Sequence, residues 1–172
     1  MKFMTRNGCA LLAVLCLAVC GCSPGAPELA ARQHADEQAV AATMQRYLQG
    51  LDRLDRDLYA SAFAPDGVLD IDGSVRSGRD AMRKVVDQEA AFRQDMKDQG
   101  RTPRVLFHME TNVHLTFPAP DQATRTAYWV TYVREGKDPE GLSALGVGTS
   151  VDELQRRGAE WLITRRRISL QP

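Results

Sequence analysis

The stretch VLFHMETNVHLTF, residues 105–117, alternates apolar and polar side chains and therefore predicts a long β-strand. Three more segments with strand patterning follow it, at 127–133, 142–154 and 161–170. Residues that favour turns separate the four segments. The second half of the chain is therefore predicted to form a four-stranded antiparallel series.

Before this stretch, apolar residues recur at helical spacing. A first helix is predicted from about His34, with its apolar stripe formed by Val40, Met44, Tyr47, Leu48 and Leu51. Gly50, near its end, would let another backbone approach closely or would loosen the last turn. Helices followed by antiparallel strands indicate an α+β domain in which helices cover one face of the sheet.

A second and a third helix are predicted between the first helix and residue 105. Asp57 is the predicted N-cap of the short second helix, which Pro65-Asp66-Gly67 is expected to end as a turn. A strand is predicted from Val68 to Asp72, and the third helix at 79–98.

The composition is that of one globular domain that does not bind nucleic acid. The chain has 172 residues, of which 44% are hydrophobic and 26% are charged. It carries 22 basic and 22 acidic residues, and removal of residues 1–21 takes away Lys2 and Arg6, which leaves 20 against 22. Nucleic-acid-binding domains are usually strongly basic, so this class of partner is not expected.

Residues 1–22 are typical of a secretory signal peptide. Lys2 and Arg6 precede an apolar run, and all four cysteines of the chain lie in this segment. Gly21-Cys22 resembles a bacterial lipobox, with Cys22 as the predicted lipidation site and Cys20 as the competitor; plain signal cleavage is the alternative. With residues 23–34 as a tether, the domain at 35–172 is expected in the cell envelope, facing the periplasm, with a lipid anchor as its only membrane contact.

Asp52 and His108 are the candidate catalytic pair. An aspartate that orients a histidine makes a general base that works near neutral pH. The alternatives are a solvated Asp52 in a charged helix end, with Asp55 in its place, and a His108 that is simply hydrogen-bonded on a half-buried strand.

The position of His108 depends on the regularity of its strand. In a regular strand His108 lies with Leu106, Glu110 and Asn112, on the face opposite the neighbouring apolar residues. Two arrangements would still allow His108 to line a pocket: both faces of the strand are partly covered, or a bulge near Thr111 brings the later apolar residues onto the face of His108. A metal site made of His108, Glu110 and His114 is not expected, because ~3.3 Å per residue separates the two histidines by ~20 Å.

Other polar residues have simpler interpretations. Tyr47 is expected to be a core aromatic whose hydroxyl could reach a ligand. The run Arg165, Arg166 and Arg167 alternates in facing, which favours the strand exterior or the rim of a dimer.

Three segments, 47–67, 108–112 and 160–167, occur in an order that resembles the SnoaL-like branch of the nuclear transport factor 2 (NTF2-like) superfamily. The resemblance covers roughly residues 35–170. It implies a cone in which a curved sheet wraps around three helices and encloses a pocket. In the dehydratase and dehydrochlorinase members, an Asp at the end of the first helix and a His in a His-x-x-Thr-Asn-like segment form a dyad, and Asp52 and His108 lie at the matching positions.

This resemblance implies a cofactor-independent lyase or isomerase that acts on a small, mostly apolar molecule with an acidic C–H. His108 would remove the proton, Asp52 would hold the imidazole, and Tyr47 or Asn112 would position the substrate oxygen. The alternative is a non-catalytic lipoprotein that binds a ligand or docks another envelope protein. A homodimer is expected through the open face of the sheet.

Overall fold

In a computed structural model the described residues are 25–134 and 141–171. They form three helices and six strands: α1 Ala26–Arg53, α2 Arg56–Ser61, β1 Phe63–Ile71, β2 Ser74–Ser77, α3 Arg79–Asp98, β3 Val105–Ala119, β4 Gln122–Arg134, β5 Leu142–Arg157 and β6 Glu160–Leu170. The predicted signal peptide, including Cys20 and Cys22, and most of the predicted turn at 136–141 lie outside the described residues.

The six strands form one sheet in the order β2-β1-β6-β5-β4-β3. All neighbours are antiparallel except β1 and β6, which are parallel. The helices pack on one face of this curved sheet, which confirms the predicted α+β fold. The predicted series β3 to β6 is present, and the β1–β2 hairpin extends it beyond β6.

The core forms where α1 crosses the sheet. Val40, Met44 and Tyr47 are buried on the predicted apolar stripe and pack with Trp161 and Ile163 of β6. Full burial of a side chain of this kind contributes about 1.5–3 kcal/mol. Thr43 is buried in the same stripe, and its hydroxyl donates to the carbonyl oxygen of Trp161 at 2.6 Å. This bond fixes the position of α1 along β6.

The junction of α1 and α2 orients the end of α1. A Cβ on Gly50 would overlap the backbone nitrogen of Tyr59, so the close approach predicted at this glycine is confirmed. Leu54 then ends α1 in the left-handed region at φ 59°. Asp55, not Asp57, is the N-cap of α2, with its carboxylate accepting from the backbone N–H of Leu58 at 2.9 Å.

Two predicted boundaries were wrong. Helix α1 begins at Ala26, so residues 26–34 of the predicted tether are the first turns of the helix and are exposed. Pro27 stands in this first turn, where proline is well tolerated because its missing N–H has no intrahelical partner. The predicted turn at Pro65-Asp66-Gly67 is a register shift within β1, because the pairing with β6 resumes at Val68.

Within the described residues, none of the helices is both long and apolar enough to cross a membrane.

Candidate functional site

A bulge in β3 places the later apolar residues on the same face of the strand as His108, the face toward the helices. The pairing of β3 with β4 shifts between Thr111 and His114, and Asn112 has a φ of 51°. Before the bulge, His108 points into the domain, and after it Leu115 pairs with the buried Arg125 and packs against the core. The bulge predicted near Thr111 is therefore confirmed, and it explains why the strand does not keep a single alternation.

Asp52, in the last turn of α1, holds His108 by two hydrogen bonds. Its Oδ1 lies 2.6 Å from Nδ1 of the ring and 3.2 Å from the backbone nitrogen of the same residue. Both side chains are partly buried. A carboxylate can only accept, so Nδ1 carries the hydrogen, and in the neutral ring the lone pair is at Nε2.

A cavity of about 180 Å³ adjoins His108. Its walls are mostly apolar and come from the three helices and from β1, β3, β4 and β6. The polar residues that line it are Tyr47, Tyr59, His108, Glu110, Thr131 and Arg166. His108 also borders an open cleft that it shares with Asp52, Phe107 and Leu142, so the imidazole lies between the cavity and the solvent.

Of the two residues predicted to position the substrate, one lines the cavity and one does not. Tyr47 lines the cavity, as expected. Asn112 is exposed in the bulge and is not among the lining residues, so its predicted contact with a substrate is not supported. Its short polar side chain instead suits the left-handed conformation that the bulge requires. Asp55, the alternative to Asp52, is engaged as the N-cap of α2.

The cavity ends at a buried ring of four charged side chains, here called the ion network: Glu110, Arg125, Asp152 and Arg166. Arg166 donates to Glu110 at 2.6 Å and to Asp152 at 2.7 Å, and Arg125 donates to the same two carboxylates at 2.5 and 2.9 Å. Each side chain is at most 6% exposed. Arg166 was predicted on the strand exterior or a dimer rim; that prediction was wrong, because it is the member of the arginine run that points inward.

The geometry of the ion network requires both of its carboxyl groups to be ionised. Burial opposes ionisation of Glu110, but the guanidinium groups of Arg166 and Arg125 outweigh it and hold the pKa of Glu110 below its usual value. Burial raises the pKa of Asp152 against the same two arginines. Both oxygens of Asp152 nevertheless accept from guanidinium N–H groups, and a protonated carboxyl would direct its own hydrogen at a donor.

Two tyrosines support Arg166. The guanidinium carbon of Arg166 lies 4.3 Å from the centre of the Tyr47 ring, and that ring lies 4.9 Å from the ring of Tyr59. Burial, and next the neighbouring Tyr47, raise the pKa of Tyr59 well above the usual value of a tyrosine, so its hydroxyl stays neutral. The Nε atom of Arg166 is buried and has no hydrogen-bond partner among the described residues.

The ion network was missed in the sequence because each member looks ordinary in its own strand. The available signal was one charged residue at an inward position in each of four strands. In two of these strands, apolar residues at alternate places indicate which positions face inward. The described residues contain no group of three or more His, Cys, Asp or Glu side chains that could hold a metal ion.

The α+β fold, the mostly apolar cavity and the Asp–His pair at its edge are together typical of domains with an interior pocket for a small molecule. The chain belongs to the SnoaL-like domain family, whose model matches residues 32–167. An NTF2-like protein of cystatin-like fold is among the solved structures that share the fold of this chain. A comparison with curated proteins gave no match.

Solved structures with 16–24% identity share the fold. A protein of unknown function from Mycobacterium tuberculosis is 24% identical, with 86% of this chain and 78% of that chain covered and a TM-score of 0.69. A putative scytalone dehydratase from Novosphingobium aromaticivorans is 18% identical over 83% and 89%, with a TM-score of 0.66. A hexachlorocyclohexane dehydrochlorinase of the LinA type 3 from Novosphingobium barchaimii is 16% identical over 83% and 91%, with a TM-score of 0.66.

The change Asp152→Asn tests the ion network as a structural element. It leaves two buried guanidinium groups with one carboxylate, so the free energy of unfolding is expected to fall by ~3–5 kcal/mol. Urea denaturation followed by circular dichroism measures the loss. Glu153→Gln is the matched control, because Glu153 is the exposed neighbour on the same strand. Equal stability of the two variants would show that the network does not hold the sheet together.

Proposed function

We propose that this protein is a cofactor-independent lyase or isomerase that removes a proton from a small, mostly apolar molecule. The observation that carries the proposal is the 2.6 Å contact between Asp52 and Nδ1 of His108 beside the cavity. This contact leaves the Nε2 lone pair as the base, and a base of this kind needs no metal or organic cofactor to abstract a proton.

The proposed step begins when Nε2 of His108 takes a proton from an acidic C–H of the bound molecule. The imidazolium that forms is stabilised by the carboxylate of Asp52, which accepts from Nδ1. In a lyase, the electron pair of the C–H bond forms a C=C bond, and the leaving group departs with its own electron pair. In an isomerase, the proton returns from His108 to a different carbon.

The polar end of the cavity supplies hydrogen-bond donors for the substrate. Tyr47 and Tyr59 contribute hydroxyl groups, and the Nε–H of Arg166 is a buried donor without a partner among the described residues. A substrate oxygen that gains negative charge in the transition state would accept from such donors, which are fixed before the reaction begins. Arg166 thus joins Tyr47 as a candidate donor to the substrate oxygen.

The named relatives support this reaction class. A dehydratase and a dehydrochlorinase are both lyases, and the structures that bear these names share the fold of this chain at 16–18% identity. The similarity supports an elimination as the first reaction to test.

The second candidate function is a non-catalytic lipoprotein that binds a ligand or docks an envelope protein. It is favoured by the outer face, defined as the side of β3, β4 and β5 that points away from the helices. Phe107, Met109, Tyr128 and Val147 are 40%, 56%, 56% and 45% exposed there. A homodimer would cover this apolar surface. Sedimentation of the protein tests the homodimer, and a monomer at micromolar concentration would contradict it.

We propose in addition that the domain is exported and anchored through Cys22. The lipobox-like Gly21-Cys22 and the preceding apolar run support this location.

Deuterium uptake tests the proposed base without knowledge of the substrate. In D₂O, the protein is expected to accelerate α-proton exchange in some member of a panel of small cyclic ketones, measured by NMR. His108→Gln should lower the rate by ~10²–10⁴-fold, and Asp52→Asn should also slow it. His114→Gln is the control, because His114 is exposed on the same strand. Exchange that matches buffer, or that survives His108→Gln, would refute the proposed chemistry.

Metabolic labelling tests the anchor. Cells that express the full chain and receive a labelled fatty acid are expected to place the label on this protein and to retain it in the membrane fraction. Cys22→Ala should abolish the label, whereas Cys20→Ala should retain it. Loss of the label only in Cys20→Ala would assign the anchor to the competing cysteine, and no label on the wild-type protein would leave plain signal cleavage.

A further inference from the structure

The polar end of the cavity carries no net charge of its own, although Arg166 lines it. Two terminal nitrogens of Arg166 donate to Glu110 and Asp152, and Arg125 closes the ring on the same carboxylates. The ion network therefore holds two positive and two negative charges. The positive charge of Arg166 is already compensated, so an anionic ligand would find no counter-ion there.

Glu110 is the carboxylate of the ion network that lines the cavity. Its side chain is 4% exposed, whereas Asp152 is fully buried and is not among the lining residues. The arginines hold the pKa of Glu110 below its usual value, so it is ionised at neutral pH. The carboxylate of Asp52, on the other side of His108, adds a second negative charge near the cavity.

A carboxylate ligand would therefore lose its hydration without finding a free positive charge in return. Removal of an ion from water is costly unless a free partner of opposite charge is present. A carbonyl, hydroxyl or amide group escapes most of this cost, because it needs only the hydrogen-bond donors that the tyrosines and Nε of Arg166 supply.

The size of the cavity narrows the class of ligand further. Its 180 Å³ lies below the ~300–1,000 Å³ of typical sites for drug-sized ligands. A molecule with one ring and one short polar substituent suits such a volume, with the ring against the apolar walls.

We infer that Glu110 sets the charge class of the ligand: the cavity takes small, uncharged one-ring compounds and rejects the corresponding carboxylates. The inference rests on the proposed function, because that proposal places the ligand in the cavity beside His108. Charge selection is a property of binding, so it is measured without turnover.

Benzamide and benzoate test the inference, because they have the same shape and differ in charge. NMR titration follows the indole N–H of Trp129, which lines the cavity and donates to the carbonyl oxygen of Thr149, with the indole of Trp161 as the reference. The wild-type protein is expected to bind benzamide at least ~10-fold more tightly than benzoate. Benzoate that binds as tightly as benzamide, or no shift of Trp129 with either compound, would overturn the inference.

The change Glu110→Gln identifies the residue responsible. It leaves the ion network with an excess positive charge, so benzoate is expected to bind at least ~10-fold more tightly than in the wild type, while benzamide changes by less than ~3-fold. Glu153→Gln makes the same chemical change on the exposed surface and should keep the wild-type preference. A Glu110→Gln variant that keeps the wild-type preference would remove Glu110 from this role.

The two proposals fail in different ways. If Glu110→Gln does not fold, the wild-type comparison still decides whether the cavity discriminates by charge. If charge selection is present and α-proton exchange is absent, the site binds neutral ligands without catalysis. If exchange is present and benzoate binds as well as benzamide, the base stands and the role of Glu110 is wrong.

Discussion

The carboxylate of Asp52 joins two elements that are far apart in sequence. It accepts from the ring and from the backbone N–H of His108, so it ties the last turn of α1 to β3, the edge strand of the sheet. An edge strand has backbone groups that no neighbouring strand can satisfy, and Asp52 satisfies one of them. The same two bonds fix the ring orientation and direct its second nitrogen away from Asp52. Structure and chemistry thus depend on one carboxylate.

The ion network makes the cavity polar at one end without leaving it charged. A buried ion pair is seldom more stabilising than apolar packing of equal volume, so its presence beneath a ligand site calls for another explanation. Here it fixes Arg166 beside Tyr47 with one donor unused, and it neutralises the charge of that arginine. The cavity therefore combines donors for a neutral oxygen with walls for an apolar ring, which suits the small apolar molecule of the proposed reaction.

The sequence predicted those elements whose side chains repeat with a clear period. Helix α3 was predicted at its observed bounds, β3 and β4 were recognised from alternation, and β5 and β6 were recognised as runs between turn signals. The Asp52–His108 contact followed from the family resemblance, and the bulge was one of two ways to reconcile an inward His108 with apolar residues of the opposite parity. The ion network was not predictable in the same way, because the inward position of Arg166 depends on its pairing with Asp152 across β5 and β6. The hairpin of β1 and β2 was missed because β2 has four residues and little apolar content.

The tautomer of His108 is the most direct measure of the central claim that Asp52 makes Nε2 the base. Long-range ¹H–¹⁵N correlation spectra of the ¹⁵N-labelled protein resolve the two ring nitrogens of its three histidines. Neutral His108 is expected to carry its hydrogen on Nδ1 and a bare lone pair on Nε2, and Asp52→Asn should disturb this state while leaving exposed His114 unchanged. A neutral His108 protonated on Nε2 in the wild-type protein would contradict the account.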